Sequence, residues 1–357
     1  MNREQLEASV KGGQGEYPAI NGLDLSGGHY AGADLSGGIF HDAAFRQSDL
    51  ANANLRQAVL VQCDLTQASL VGADLGYCQF ISCKLAGTDY SGAHLESTVF
   101  SQCDLSGAGF ERCHMIHASF VDSDLNDAML DQVRSEHMNV IQCSLDRTSL
   151  RGSSHYRATL VEPVPCTPII DGLALELPFI RKADFADTDF TRTRLDRPQF
   201  AECNLGRAKF AGMTLTQASY HGSVVHGADF TGAILDCALF VDGQLEGACF
   251  MGARAEQALF VNANVRLCDF SRAKLRQAQF TGADCELTRF NGADLTYVDF
   301  SNAGLDHADL SGTQLYYAKL HGVSEDGTRW RGANRSQAME TDPERQKAEQ
   351  FDPAGQR

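Results

Sequence analysis

Apolar side chains recur every fifth residue along most of this chain. From Leu25 the beat runs through Tyr30, Leu35, Phe40, Phe45, Leu50, Leu55, Leu60, Leu65, Leu70, Leu75 and Phe80. It resumes at Phe185 and continues through Phe190, Leu195, Phe200, Leu205 and Phe210 to Leu320. Two residues before each beat stands a small side chain, as at Ala33, Ala53, Ala73, Ala93, Ala293 and Ala303. Asp or Asn often separates the two. A period of five fits neither a helix of 3.6 residues per turn nor a flat strand of period two. It fits a coil with several short, similar sides.

A longer order of twenty lies over the five. Phe200, Phe240, Phe260, Phe280 and Phe300 share one phase, and Phe190, Phe210, Phe230, Phe250, Phe270 and Phe290 fill the phase ten residues away. Cys63, Cys83, Cys103, Cys143 and Cys203 repeat at twenty as well, each two residues before a beat. Twenty residues per coil and five per side predict a square coil. Its stacked turns should pair through the backbone like strands, about 4.8 Å apart. The beat residue and the small residue two before it should point inward, with Leu25, Leu35, Phe80, Leu105, Phe190, Phe210, Phe240, Phe270 and Leu295 in the core. The other three positions should face water, which suits their Ser, Thr, Gln, Arg and Gly. Small inward sites follow from four walls crowding one narrow interior.

The Ala-Asp-Leu-Ser-Gly of Ala33–Gly37, repeated in variants over about 20–160 and 181–333, resembles the pentapeptide repeat proteins. The resemblance implies an all-β fold, a right-handed quadrilateral β-helix, with about seven coils on each side of an irregular insert. The expected organisation is an N-terminal cap (1–19), a first block (20–160), a Pro-rich insert or deviant coil (161–184), a second block (185–333) and a polar C-terminal tail (334–357). Residues 161–180 hold Pro163, Pro165, Pro168 and Pro178, which cannot donate to a ladder. Leu173, Leu175 and Leu177 alternate like a short strand. The repeat already weakens before this point, with Ser135 and His155 on beats. The twenty-residue length of the break favours one continuous rod, and two angled blocks are the alternative. Short helices are expected at Met1–Gly12 and Pro343–Gln350, with Trp330 plugging the last coil.

The net charge of −16 and a pI of about 5.0 disfavour direct binding to phosphate backbones. Much of the acid is the Asp before a beat, as at Asp24, Asp34, Asp64, Asp74, Asp104 and Asp294, and is expected to serve the fold. No run of residues is apolar enough to span a membrane. Twelve cysteines without a Cys-x-x-Cys pair read as small buried hydrophobes rather than ligands. A one-coil offset also holds their Cβ atoms farther apart than a disulfide prefers. A reducing bacterial cytoplasm is the expected setting, with signal-independent export also open.

No nucleophile triad, zinc-protease helix, phosphate loop or dinucleotide fingerprint occurs, so no catalytic, cofactor or metal site is expected. His94 with His114, and His117 with His137, share phases and should stack, with His155 nearby. Solvated loop histidines are the expected reading, and a zinc or pH-sensing face the alternative. Tyr297 and Tyr317 should stack beside Tyr316 on an exposed face. Candidate interaction residues are these two tyrosines and Ile169, Ile170, Leu173 and Phe179 of the break, for which burial in the fold is the expected use.

The function expected is a non-enzymatic scaffold for a protein partner. The resemblance implies three versions of it: an accessory, adaptor or cargo of a type VI-like secretion system, a DNA mimic that occupies gyrase or topoisomerase, or an effector delivered into host cells. Charge fits the mimic. The polar Ser336–Arg357 does not fit the apolar C-terminal dimer segment of the gyrase-binding members.

Overall fold

A computed structural model describes residues 1–11 and 19–349. Helix α1 spans Arg3–Lys11 and α2 spans Pro343–Glu349. The expected helix ends at Gly12 and Gln350 lie outside the described residues. Between the helices the described residues form a β coil, followed by a 3-10 turn at Arg335–Gln337. The strands are β1 (Ala19–Asn21), β2 (Ile39–His41), β3 (Val59–Val61), β4 (Gln79–Ile81), β5 (Val99–Ser101) and β6 (His114–Ile116). Then come β7 (Ser119–Val121), β8 (Arg134–Glu136), β9 (Asn139–Ile141), β10 (Ser154–Tyr156) and β11 (Thr159–Val161). Last are β12 (Ala174–Glu176), β13 (Phe179–Arg181), β14 (Arg194–Asp196) and β15 (Gln199–Ala201). Beyond them the coil is held by single parallel bridges such as Val224↔Gln244 and Asp269↔Arg289. The chain forms two units, Met1–Asp184 with Arg192–Leu195, and Phe185–Thr191 with Asp196 onward.

Every pairing in both units joins a residue to the one twenty positions on, in parallel. Phe40 pairs with Leu60, Leu60 with Phe80 and Phe80 with Phe100. The hydrogen bonds alternate in direction. The beat N–H donates forward, Leu55 to Asp74 O at 2.8 Å, while the N–H before the beat donates back, Asp74 to Ala53 O at 3.0 Å. Each five-residue side therefore satisfies its polar backbone between the coils above and below, as buried backbone requires.

The corner comes from the residue two after the beat, which has positive φ on side after side: Gly37 at 68°, Gln57 at 59°, Gln277 at 59°, Gly292 at 71°. Gly enters this region without strain, and Asn and Asp tolerate it better than most. At most corners the third N–H closes the turn, as Ala58 N–H to Leu55 O at 3.0 Å. The Asp before the beat completes it. Its Oδ1 accepts the N–H two residues on: Ser26 to Asp24 at 3.0 Å, Thr66 to Asp64 at 3.1 Å, Ser311 to Asp309 at 2.9 Å. The Ser26 hydroxyl and N–H together hold the Asp24 carboxyl below the usual carboxylate range. These aspartates thus belong to the fold, as expected.

The interior is two columns of rings on opposite walls. In one column Phe230 and Phe250 stack at 4.9 Å and 5°; across the coil Phe240 meets Phe250 edge-on at 5.6 Å and 89°. Both are favoured aromatic geometries. Leu25, Leu35, Phe80, Leu105, Phe190, Phe210, Phe240, Phe270 and Leu295 are all buried. So are the cysteines of the ladder, and Cys103 Sγ donates to Phe80 O at 3.4 Å. No disulfide forms among the twelve, each of which is a free thiol.

The break at 161–180 is a coil kept in register, not a loop. Ser154 pairs with Ala174 and Thr159 with Phe179. Its first side slips, and so does the corner at Gly172, whose N–H reaches Arg192 O at 3.1 Å, twenty residues on. Leu145 N–H reaches Pro165 O at 2.8 Å, twenty residues on rather than nineteen, and Leu150 to Ile169 O is back in step. Cys166 turns inward there. Trp330 stands on the last beat, half-buried, with the Arg335 guanidinium 4.6 Å over its ring.

Two tests follow from this interior. Ala73 is fully buried, so Ala73→Phe should lose at least about 3 kcal/mol, the upper range of overpacking, and fall out of the soluble, β-rich fraction by circular dichroism. The Tyr220 hydroxyl is buried among Phe200, Phe230 and Phe240 with no partner among the described residues. Tyr220→Phe should therefore raise the thermal midpoint, by about 1 kcal/mol of stability; a lowered midpoint would show that the hydroxyl is satisfied.

Candidate partner-binding surface

The outward positions of the coil form columns, because every coil repeats the same side. On three walls of the first unit the columns are mostly polar, with Val71, Ile116 and Met129 exposed among them. One runs Asp24, Ala44, Asp64, Lys84, Asp104, Asp124; another runs His29, Asp49, Ser69, Asp89; a third runs Asp34, Asn54, Asp74, His94, His114. The fourth wall is the sheet β1-β2-β3-β4-β5-β7-β9-β11-β13. Its outward apolar residues are Ile39, Val59 and Val99 in one column, shared with Gln79, Ser119, Asn139 and Thr159, and Val61, Ile81, Val121, Ile141 and Val161 in the other, shared with His41 and Ser101. All eight apolar residues are partly exposed.

This corrects the expectation that the outward positions are uniformly polar. The physical reason is local. β-branched side chains pack well on a pleated, half-buried surface, and on this wall three residues pair per side. The corner that follows lacks the closing turn bond. There the inward thiol takes up carbonyls instead, as Cys83 Sγ to Ile81 O at 3.5 Å and Leu60 O at 3.3 Å. The signal was present in sequence as Val59/Val61 and Val99/Val121, and was masked by the five-residue beat beside it.

The candidate interaction residues separate. Ile170 and Leu173 are buried and Ile169 half-buried, whereas Phe179 is exposed at the end of the apolar wall. Tyr297 and Tyr317 are exposed and stack at 5.2 Å and 8°.

Two histidine pairs stack as their phases required, His94 on His114 at 6.1 Å and His117 on His137 at 5.0 Å. The first pair borders a hollow of about 330 Å³ with Arg56, Asp74, Glu96 and Ile116. Gly76 leaves room for the Arg56 side chain, which a Cβ there would meet. Arg56 lies across the gap, 3.2 Å from Asp74 and 3.5 Å from Glu96, and the Tyr77 hydroxyl donates to Glu96 at 3.1 Å. Its charges answer one another. Among the described residues no group of three His, Cys, Asp or Glu side chains is placed to hold a metal ion.

His155 is not a solvated loop histidine. It is buried on its beat. Ser153 Oγ donates to Leu150 O at 2.7 Å, so it accepts the His155 Nε2–H at 3.0 Å. Ser135 Oγ then donates to His155 Nδ1 at 2.7 Å. The two weakened beats are therefore one hydrogen-bonded pair. Burial pushes the His155 pKa down to about 4. The unfolded chain binds this proton below about pH 6.5, the folded chain only near pH 4, so the pair's stability is present above pH 6.5 and is lost as pH falls to 4. The loss should approach about 3 kcal/mol. His155→Leu should remove that dependence from urea midpoints measured between pH 7 and pH 4; an unchanged slope would refute the assignment.

Comparisons with known proteins agree with this architecture. The family described as "Pentapeptide repeat region" matches residues 33–110 and 73–160. "Pentapeptide repeats (8 copies)" matches 199–236, 248–284 and 283–324. No curated protein matches the chain. Among solved structures, HetL of the cyanobacterium Nostoc sp. strain PCC 7120, a pentapeptide repeat protein involved in heterocyst differentiation regulation, is 18% identical. The match covers 96% of this chain and 98% of HetL at a TM-score of 0.28. A pentapeptide repeat protein of the Arabidopsis thaliana thylakoid lumen is 33% identical over 28% of this chain and 66% of its own, TM-score 0.20. QnrB1, a plasmid-mediated fluoroquinolone resistance protein, is 16% identical over 89% and 93%, TM-score 0.19. Overlaps this low carry no argument about function. The family matches span more than half of the chain, on a coil built of five-residue sides, and the chain belongs to the pentapeptide repeat proteins.

Proposed function

We propose that the chain is a non-enzymatic scaffold that binds a protein through the apolar wall of its first unit. The observation that carries this reading is the partly exposed Val and Ile surface on β2, β3, β4, β5, β7, β9 and β11, beside three mostly polar walls of the same coils. Contiguous exposed apolar surface of this kind marks interaction sites. A flat wall suits a macromolecule better than a metabolite, which needs concavity. The buried free thiols go with a reducing cytoplasm and leave signal-independent export open. Extension to a secretion-system adaptor or cargo, or to a delivered effector, rests on the resemblance alone and is decided by the partner's identity.

The DNA-mimic reading draws on the charge of −16. Against it, carboxylates here alternate with bases in columns. Arg207 pairs with Asp187, Arg289 with Asp269 and Lys319 with Asp299. A duplex mimic needs unneutralised negative charge in rows.

Immobilised full-length protein should capture a specific partner from bacterial lysate, and Val61→Lys/Val121→Lys should lower that capture more than tenfold, as loss of an interface centre does. Equal capture by the variant would exclude the wall as the docking surface. Tyr297→Ala/Tyr317→Ala should leave it unchanged. In a supercoiling assay, gyrase should be unaffected by excess protein.

A further inference from the structure

We infer that the apolar wall of the first unit is a self-association surface, on which two copies of the chain pair face to face with their coils stacked in the same direction. The inference rests on the reading that this wall binds protein, and names the partner as a second copy.

The wall's edges carry the argument. One corner column holds Asp42, Asp122 and Glu162 among Gln62, Gln102 and Gln142, and no base before Lys182. The other holds His117, His137 and Arg157 with Gln57, and no acid. Two copies facing across this wall can be related by a twofold axis along the strands or along the stack of coils. An axis along the strands lays each corner column on itself and opposes acid to acid. An axis along the stack lays each column on its counterpart from the same coil. Arg157 then faces Glu162 of the second copy, His117 faces Asp122 and His137 faces Gln142. Across the middle Val59 lies over Val61, and on the other coils Ile39, Ile81, Val99, Val121, Ile141 and Val161 lie over His41, Gln79, Ser101, Ser119, Asn139 and Thr159. Such a contact is isologous and closes at two copies, and complementary edges fix the direction of pairing.

Existing contacts leave the edges usable. Glu162 is bonded to Lys182 at 2.8 Å through one oxygen and to Gln142 at 3.4 Å through the other, both exposed partners. The Arg157 guanidinium rests 5.3 Å over the Tyr156 ring, and His137 meets that ring edge-on. These contacts hold the cationic corner outward.

Seven strands spaced about 4.8 Å and three residues wide give a wall of about 35 Å by 10 Å. With its corner columns it buries about 500 Å² per copy, so about 1,000 Å² in all, the size of a weak reversible association. The dimer should form in the micromolar range or above, not permanently.

Sedimentation equilibrium of the full chain, from low to several hundred micromolar, tests this. The wild type should show a reversible monomer–dimer equilibrium. Val61→Lys/Val121→Lys should weaken it more than tenfold. If that variant misfolds by circular dichroism, Val61→Thr/Val121→Thr keeps the β-branched shape and should weaken it in the same direction. Arg157→Glu should weaken it about tenfold, and Arg157→Glu/Glu162→Arg should restore it. A wild type that stays monomeric, a dimer indifferent to Val61 and Val121, or an open-ended series of oligomers overturns the inference. Failure of the charge swap to rescue overturns the direction of pairing. A monomer that still captures a lysate protein through Val61 and Val121 overturns self-association and leaves the scaffold reading standing. Loss of both overturns both.

Discussion

Everything in this protein hangs on one spacing, the rise of about 4.8 Å from each coil to the next. It is the distance at which parallel backbones exchange hydrogen bonds, Leu55 N–H to Asp74 O in one direction and Asp74 N–H to Ala53 O in the other. It is also close to the distance at which aromatic rings stack, 4.9 Å for Phe230 on Phe250 and 4.6 Å for Phe250 on Phe270. Backbone pairing and core packing therefore ask for the same geometry, and neither strains the other. The twenty-residue register is the only one that serves both, since a slip of one residue would turn every beat outward.

That constraint explains why chemistry-bearing residues here do structural work. An Asp before a beat caps the corner through the N–H two residues on. A Cys at a small inward site donates to carbonyls of its own coil and the one before. His155, which fills a beat with a polar ring, stays neutral because it is buried, and Ser135 and Ser153 complete its hydrogen bonds. Arg56 bridges two carboxylates in the room that Gly76 leaves. Each group is explained by its place on the coil before any function is needed.

The same register turns single surface residues into lines. One valine at an outward position is unremarkable in a soluble protein. Repeated at twenty, it becomes part of a wall rich in Val and Ile, and of its flanking corners one gathers acids among amides and the other gathers His117, His137 and Arg157. A solenoid presents surface in this form because neighbouring positions in space are twenty residues apart in sequence. An extended flat contact is what such a surface can make.

The family and the square coil were legible in the sequence, because the five-residue beat and the small residue before it are local and repeat many times. Burial of Leu35, Phe80, Phe210 and Leu295, and stacking of Tyr297 on Tyr317, follow from their phases alone. The coil at 161–180 was legible only through its twenty-residue length, because four prolines erase the pattern while the pairing of Ser154 with Ala174 and Thr159 with Phe179 preserves the register. The hydrogen-bonded pair of Ser135 and His155 was not legible, and looked like decay of the repeat. The apolar wall escaped for a related reason: Val59, Val61, Val99 and Val121 are scattered along the chain and adjoin only after coils stack. Sequence determined what each five-residue side does, since a side is closed by its own neighbours. Which outward residues become neighbours was decided by the tertiary stack, since that contact is made between coils and not within them.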